Sequence, residues 1–252
     1  MKLTIKEIGD ITGGQAVGDP SALVTGVSID SRSIDKNQLF VPIKAKRNGH
    51  DFVSDAIRNG ATGHLFSEGK AQGNAVKVND TLIALQDLAK FERKRITGDV
   101  IGITGSVGKT TTKDILFASL RNLTEVHVSK LSFNNELGLP LTILSAESST
   151  KHLILEMGAR GPGQIAELAK IATPTIGIVT RVASAHTEFF QDIDHIAETK
   201  GALVELLPSS GTAILNNDDP RVADMSKRTN AEIVTYGLED ATVTARKISI
   251  NN

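Results

Sequence analysis

Gly102-Ile103-Thr104-Gly105-Ser106-Val107-Gly108-Lys109-Thr110-Thr111-Thr112 is the stretch on which the reading of the fold turns. Ahead of it, Asp99-Val100-Ile101 opens a short apolar strand. Behind it, Ile115, Leu116, Ala118 and Leu120 recur at helical spacing. A strand, a glycine turn and a helix are the setting a phosphate-binding loop needs. Glycines let the backbone curl so that successive N–H groups face an anion. The helix N-terminus adds unpaired N–H groups and a partial positive charge. In that setting Gly105, Ser106, Val107, Gly108, Lys109, Thr110 and Thr111 form the candidate phosphate-binding loop. Lys109 reaches the terminal phosphates and the Thr110 hydroxyl ligands Mg²⁺. The spacing is a variant: Ile103 stands where a standard loop has its first glycine, and the glycines fall at 102, 105 and 108.

Outward from the loop, residues 1–96 read as a small α/β domain. Thr4 and Glu7 have capping-box spacing for a first helix ended by Gly13-Gly14. Strands are expected over Leu23 to Ile29, Leu39 to Ile43, His64 to Phe66 and Ala75 to Val78. Helices are expected over Val53 to Arg58 and Thr81 to Arg95. The run Arg93-Lys94-Arg95 reads as a solvated helix end. Thr97-Gly98 marks a boundary, and residues 97–252 alternate strand and helix. Strands at 99–104, 152–156, 175–180, 212–215 and 232–236 are interleaved with helices at 109–121, after Pro162, at 192–207 and at 220–228. That alternation predicts a mostly parallel sheet with helices on both faces.

The chain has 252 residues, 40% hydrophobic and 23% charged, the composition of a globular protein. A net charge of -1 argues against a nucleic-acid surface. With no cysteine, disulfides and thiolate metal sites are excluded. No apolar run has the length of a membrane span and no signal peptide is seen, so a cytoplasmic protein without membrane insertion is expected.

Ligands of open parallel sheets sit beyond the carboxyl ends of the strands. Glu156, then Thr180 and Arg181, then Asn216, Asn217, Asp218 and Asp219 follow successive strands, with His186 a few residues beyond Arg181. Together with the loop they read as a nucleotide–metal site. Mg²⁺ takes one or two carboxylates plus phosphate oxygens, so Glu156 is its natural ligand after Thr110. His186 reads equally as a phosphate contact or a metal ligand. Lys200, inside an expected helix, reads on position alone as a surface charge.

The loop TGSVGKTTT resembles the nucleotide loop of the Mur ligases, ATP-dependent enzymes that build the peptidoglycan stem peptide. The resemblance extends to Val27-Ser28-Ile29-Asp30-Ser31-Arg32, Asn37 to Val41 and Gly49-His50-Asp51-Phe52, which look like the uridine-nucleotide domain of that family. Ser132 to Pro140 and Leu155 to Arg160 are similar to the member that adds the last residues of the stem. This resemblance implies an α/β protein: residues 1–96 bind a UDP-muramoyl-peptide, and residues 97–252 form a P-loop-type ATP-binding domain, incomplete at its C-terminus and without the family's third domain. It implies Lys109, Glu156, His186 and Lys200 as catalytic, with Lys200 carried as a carbamate. Thr110, Glu156 and His186 are then the magnesium ligands. Asn216, Asn217 and Asp218 lie near the nucleotide base, and Ser31, Arg32, His50, Asn134 and Asn135 contact substrate. The implied substrates are ATP, UDP-N-acetylmuramoyl-tripeptide and D-alanyl-D-alanine, joined by a monomer that on its own does not complete the ligation. Departures from the family are Ala45, Asn48, Arg181, Ala183 and Ala202, where glycine, aspartate, asparagine, glycine and glutamate are usual. Two alternatives stand beside this reading. One is a non-catalytic or fragmentary nucleotide-binding protein of the same family, the other a related P-loop ligase or kinase.

Overall fold

The computed structural model describes residues 1–130, 133–184, 190 and 192–246. The chain divides into two units. The first is Met1–Ile96 with Pro140–Ser148; the second is Thr97–Leu139 with the described residues from Ser149 on.

The first unit begins with β1 (Leu3–Thr4) and α1 (Ile5–Thr12). Thr4 closes the expected capping box. The Glu7 N–H donates to Thr4 Oγ1 at 3.2 Å, and the Thr4 N–H donates to Glu7 Oε2 at 2.7 Å. Gly13 ends the helix in the left-handed conformation, with φ 64°. Next come β2 (Gln15–Val17), β3 (Leu23–Val24), β4 (Val27–Ser28) and β5 (Leu39–Phe40). A 3-10 turn, Gly49–Phe52, leads into α2 (Val53–Arg58), β6 (Gly63–Phe66), β7 (Ala75–Lys77) and α3 (Thr81–Arg93). The sheet order is β2-β7-β6-β5-β4, parallel except for β2 against β7.

Two expectations are corrected here. The single strand over Leu23 to Ile29 is two strands in two sheets: β3 pairs antiparallel with β1, and β4 pairs parallel with β5. Thr25 and Gly26 make the break, and their backbone bonds go to Asn37 O (2.7 Å) and from the Leu39 N–H (2.9 Å). Arg93 is not a solvated helix end. It is buried, and its Nη1 donates at 2.9 Å to the Ile96 carbonyl beyond the helix. Only Lys94 and Arg95 of that run reach solvent, Arg95 against Glu92.

The second unit contains β8 (Asp99–Thr104), α4 (Lys109–Leu120) and β9 (Val126–Val128), then the start of α5 (Gly138–Ser145), which continues into the segment belonging to the first unit. β10 (His152–Glu156), α6 (Gln164–Ala172), β11 (Ile176–Val179) and α7 (Ile193–Glu205) follow. β12 (Thr212–Asn216), α8 (Pro220–Asp224), a 3-10 turn (Met225–Arg228), β13 (Glu232–Gly237) and β14 (Val243–Thr244) complete the described chain. The strands lie in the order β14-β13-β12-β11-β8-β10-β9, every pair parallel. α6 starts at Gln164 rather than at Pro162, because Gly163 (φ 79°) turns the chain first.

Two glycines bring α7 close to the sheet. Gly102 on β8 and Gly177 on β11 are register partners. A Cβ at Gly102 would stand 3.0 Å from Leu203 Cδ1, and one at Gly177 3.3 Å from Leu203 Cγ. Gly102 thus serves packing, not the phosphate loop. Lys200 is three residues before Leu203 and four after Ile196, so it shares their buried face. The surface position expected from a mid-helix lysine is overturned: Lys200 is 5% exposed.

Candidate active site

β8 is flanked by β10 on one side and β11 on the other, so the chain leaves it in opposite directions. Such a switch point opens a crevice at the carboxyl edge, and the loop 105–108 stands there between β8 and α4. Gly105 has φ 153°, and a Cβ on it would lie 1.9 Å from Thr180 Oγ1. Gly108 has φ 85° and forms the N-cap of α4. Both positions require glycine.

The loop borders a cavity of about 470 Å³. Gly105, Ser106 and Lys109 line one side, Asn134, Asn135, Glu136 and Arg160 another, and Phe190, Ile196 and Lys200 a third. Four strand–helix segments therefore converge on one space. Lys109 folds back over the loop, with Nζ donating to Gly105 O at 2.8 Å. Burial lowers its pKa, and Glu156 opposes that shift. Lys200 is pushed further, down to about 8, by burial and then by the charge of Lys109.

A buried carboxylate stands beside the loop. Glu156, 1% exposed, ends β10 and accepts two hydrogen bonds. Thr110 Oγ1 donates to its Oε2 at 2.9 Å, and Asn134 Nδ2 donates to its Oε1 at 2.9 Å. Asn134 is held in turn by the Gly158 N–H on its carbonyl, 2.8 Å. Asn135 caps the turn before α5, with its Oδ1 accepting from the Gly138 N–H at 2.9 Å. Thr111 is exposed on the first turn of α4.

The candidate base segment follows β12. Asn216 Nδ2 donates to Thr180 O at 2.9 Å, and Asn217 Nδ2 to Asp240 O at 3.1 Å. The Asp218 carboxylate accepts from the Leu238 N–H at 3.0 Å. His186 lies outside the described residues, as does Ser132.

Ser31, Arg32 and His50 belong to the first unit, whereas the loop belongs to the second. Ser31 and Arg32 line a cavity of about 580 Å³ with Arg47, Phe52 and Arg58. Asp30 grips Arg32 through both oxygens, at 2.9 and 2.7 Å, and this holds the Asp30 carboxyl down at about 2. His50 lines a different cavity, with His64 and Glu68. Its Nδ1 meets Asn48 Oδ1 at 2.9 Å and its Nε2 accepts from the Ser67 N–H at 3.1 Å, so both ring nitrogens are engaged within the protein.

Sequence reasoning left out Arg160, Gln164, Phe190 and Ile196 as lining residues, and gave no role to Tyr236. Ile196, Lys200, Leu203 and Leu207 recur at helical spacing, a signal that could have placed Lys200 inward. Gln164, whose Oε1 accepts from the Arg160 N–H at 2.7 Å, carries no such signal.

A parallel α/β sheet with a glycine loop at its switch point, preceded by a small α/β unit, defines a P-loop-type protein of two parts. Residues 103–252 match the Mur ligase middle domain, and residues 23–93 match the catalytic domain of the Mur ligase family. The chain belongs to the Mur ligase family. It is 40% identical over 273 aligned positions to the UDP-N-acetylmuramoyl-tripeptide--D-alanyl-D-alanine ligase of Mycobacterium tuberculosis (strain ATCC 25618 / H37Rv), covering 95% of this chain and 53% of that protein. The fold is similar to crystal structure II of MurF from Acinetobacter baumannii, with a TM-score of 0.91, 26% identity and coverage of 99% of this chain and 56% of that one. MurF ligase from Thermotoga maritima, in complex with ADP, gives a TM-score of 0.79 at 34% identity over 86% of this chain and 51% of that one. The chain spans about half the length of the curated relatives it matches. No helix among the described residues is long and apolar enough to cross a membrane.

Proposed function

We propose that this chain belongs to an ATP-dependent ligase of peptidoglycan precursor synthesis, which joins D-alanyl-D-alanine to UDP-N-acetylmuramoyl-tripeptide. The observation that carries the reading is the convergence of Lys109, Lys200, Asn134 and Asn135 on one cavity at the loop, with the Thr110–Glu156 pair beside it. The similarity to the tripeptide ligases supports the substrate assignment.

The terminal carboxylate of the tripeptide attacks the γ-phosphorus of ATP. An O–P bond forms, the β,γ-bridging P–O bond breaks, and ADP departs. The free amine of the dipeptide then attacks the acyl phosphate carbonyl, a C–N bond forms, inorganic phosphate leaves and the nitrogen loses its proton to solvent. Lys109 exchanges loop carbonyls for phosphate oxygens and balances charge on the transferring group, where positioning and electrostatics dominate. Lys200, with its amine partly neutral near physiological pH, is suited to the carbamate that the family resemblance implies. Asn134 keeps Glu156 turned towards Thr110.

The residues present fit Mg²⁺: a hydroxyl and a carboxylate 2.9 Å apart, both hard oxygen donors, stand next to the phosphate loop. Thr110 and Glu156 would hold the ion, and His186 joins them on the family resemblance alone. When bound, it neutralises charge on the phosphate oxygens. In the first unit, Ser31 and Arg32 hold the uridine nucleotide, in a cavity where Arg47 supplies a further cation and Arg58 is paired with Asp55. The use of ATP fits a cytoplasmic reaction.

Calorimetric titration tests the assignment. Mg²⁺ with a non-hydrolysable ATP analogue and the UDP-tripeptide each bind saturably, and Lys109→Ala weakens only the first, at least roughly tenfold. Failure of the wild-type chain to bind either ligand overturns the reading.

A further inference from the structure

The loop is fastened to the stretch that follows β11 at three points. The Ser106 N–H donates to Arg181 O at 2.7 Å, and the Ser106 hydroxyl donates to Ala183 O at 2.9 Å. The third point is Thr180. Its Oγ1 lies 2.6 Å from Val107 O and 3.2 Å from Thr104 O. Thr104 O already accepts the Thr180 N–H at 2.9 Å. A hydroxyl has one proton, so it goes to the nearer carbonyl, that of Val107.

This bond sets the aim of the loop. Across a planar trans peptide, C=O and N–H point in opposite directions. Drawing the Val107 carbonyl onto Thr180 therefore turns the Gly108 N–H away from β11. Gly105 carries no side chain where Thr180 Oγ1 stands, so the chain has made room for this hydroxyl. Thr180 is itself braced. Its carbonyl accepts from Asn216 Nδ2 at 2.9 Å and from the Tyr236 hydroxyl at 3.2 Å, donors at the ends of β12 and β13. Val107 is 51% exposed, so the bond adds little to the core.

We propose that Thr180 is a positioning residue for phosphate binding, its hydroxyl holding the Val107 carbonyl so that the loop presents its N–H groups to the phosphates. The Asn216 and Tyr236 donors keep Thr180 in place, and so tie the nucleotide-base end of the crevice to its phosphate end. The inference rests on the reading that this loop binds a nucleotide.

Thr180→Val removes the hydroxyl and keeps the shape; Thr180→Ser restores the hydroxyl. Titrations of the full chain with ADP and Mg²⁺, and separately with adenosine, distinguish aim from general damage, and Tm is recorded for each variant. The expected result is a loss of roughly tenfold in ADP affinity for Thr180→Val, with adenosine binding unchanged. Thr180→Ser restores ADP affinity to within about twofold, and Tyr236→Phe gives a smaller loss than Thr180→Val. Should Thr180→Val not fold, Thr180→Ala makes the same cut. Unchanged ADP affinity without the hydroxyl, or parallel loss for ADP and adenosine, overturns the proposal. No ADP binding by the wild-type chain overturns the nucleotide reading itself.

Discussion

Lys200 shows how a helix face sets the chemistry of an amine. Its Cα lies on the stripe that packs over Gly102 and Gly177, so the side chain is drawn out of water with Ile196 and Leu203. Removing an ammonium from water favours the neutral form, and the Lys109 charge adds to the shift, giving a pKa of about 8. A neutral amine is what CO₂ requires. With ¹³C-bicarbonate, a carbamate resonance is expected that grows as pH is raised towards about 8 and is missing in Lys200→Arg. No such resonance in the wild-type chain removes the carbamate assignment. The same shift is a statement about stability. Between about 8 and 10.5 the unfolded chain keeps the lysine proton and the folded chain does not, so stability rises with pH across that window. Lys200→Met abolishes this rise and increases Tm at neutral pH, since it removes a buried charge. Lys109→Ala is expected to weaken binding of an ATP analogue at least roughly tenfold, the scale of a charge-assisted hydrogen bond.

The connection between β6 and β7 is an element whose ends are held by imidazoles. His50 Nε2 accepts from the Ser67 N–H and His64 Nε2 from the Gln72 N–H, each at 3.1 Å. His64 Nδ1 donates to Leu65 O at 3.0 Å, so both rings are satisfied only when neutral. Burial lowers the pKa of both; Glu68 and Asp51 oppose the shift at His50, and Lys44 adds to it. Their contribution to stability is full above about pH 6.5 and is lost as pH falls through the lowered folded values. Protection factors for hydrogen exchange at Ser67 and Gln72 should therefore fall on acidification ahead of those in β8. Equal loss of protection in both places contradicts the clamp. Legibility in the sequence also divides by element. β8, α4, β10, α7 and β12 were legible because strand and helix periods are long enough there to count. β9 has only three residues, and α5 is apolar nearly all round, with Leu139, Ile143 and Leu144 buried and Pro140 in its first turn, so neither shows a period. The loop and Glu156 could be found because a motif or a strand end marks them. Thr180 and Tyr236 act through hydrogen bonds to backbone carbonyls, and no spacing in the chain announces those partners.

At the scale of the molecule, the two units carry separate cavities, one lined by Ser31 and Arg32 and the other by Lys109 and Lys200. Ligand-specific protection should follow that division. A UDP-sugar is expected to slow amide exchange around residues 30–32 and leave 105–110 unchanged, while an ATP analogue with Mg²⁺ does the reverse. A UDP-sugar that protects only the glycine loop would contradict the assignment of the first unit. The parallel sheet carries a further consequence, for how the chain reaches its native state. From β8 to β13 each strand is followed by a helix before the next, and β8 lies between β10 and β11, not beside β9. No hairpin can seed that core, because parallel neighbours need crossovers. Its central strand is joined on one side only after β10 has been made and on the other only after β11. Loop closure must be met before those pairings return anything, which slows folding and leaves apolar strand edges open meanwhile. Refolding from denaturant should accordingly be slow and concentration-sensitive, and on the ribosome β8 must wait, unpaired along both edges, for strands that have yet to be synthesised.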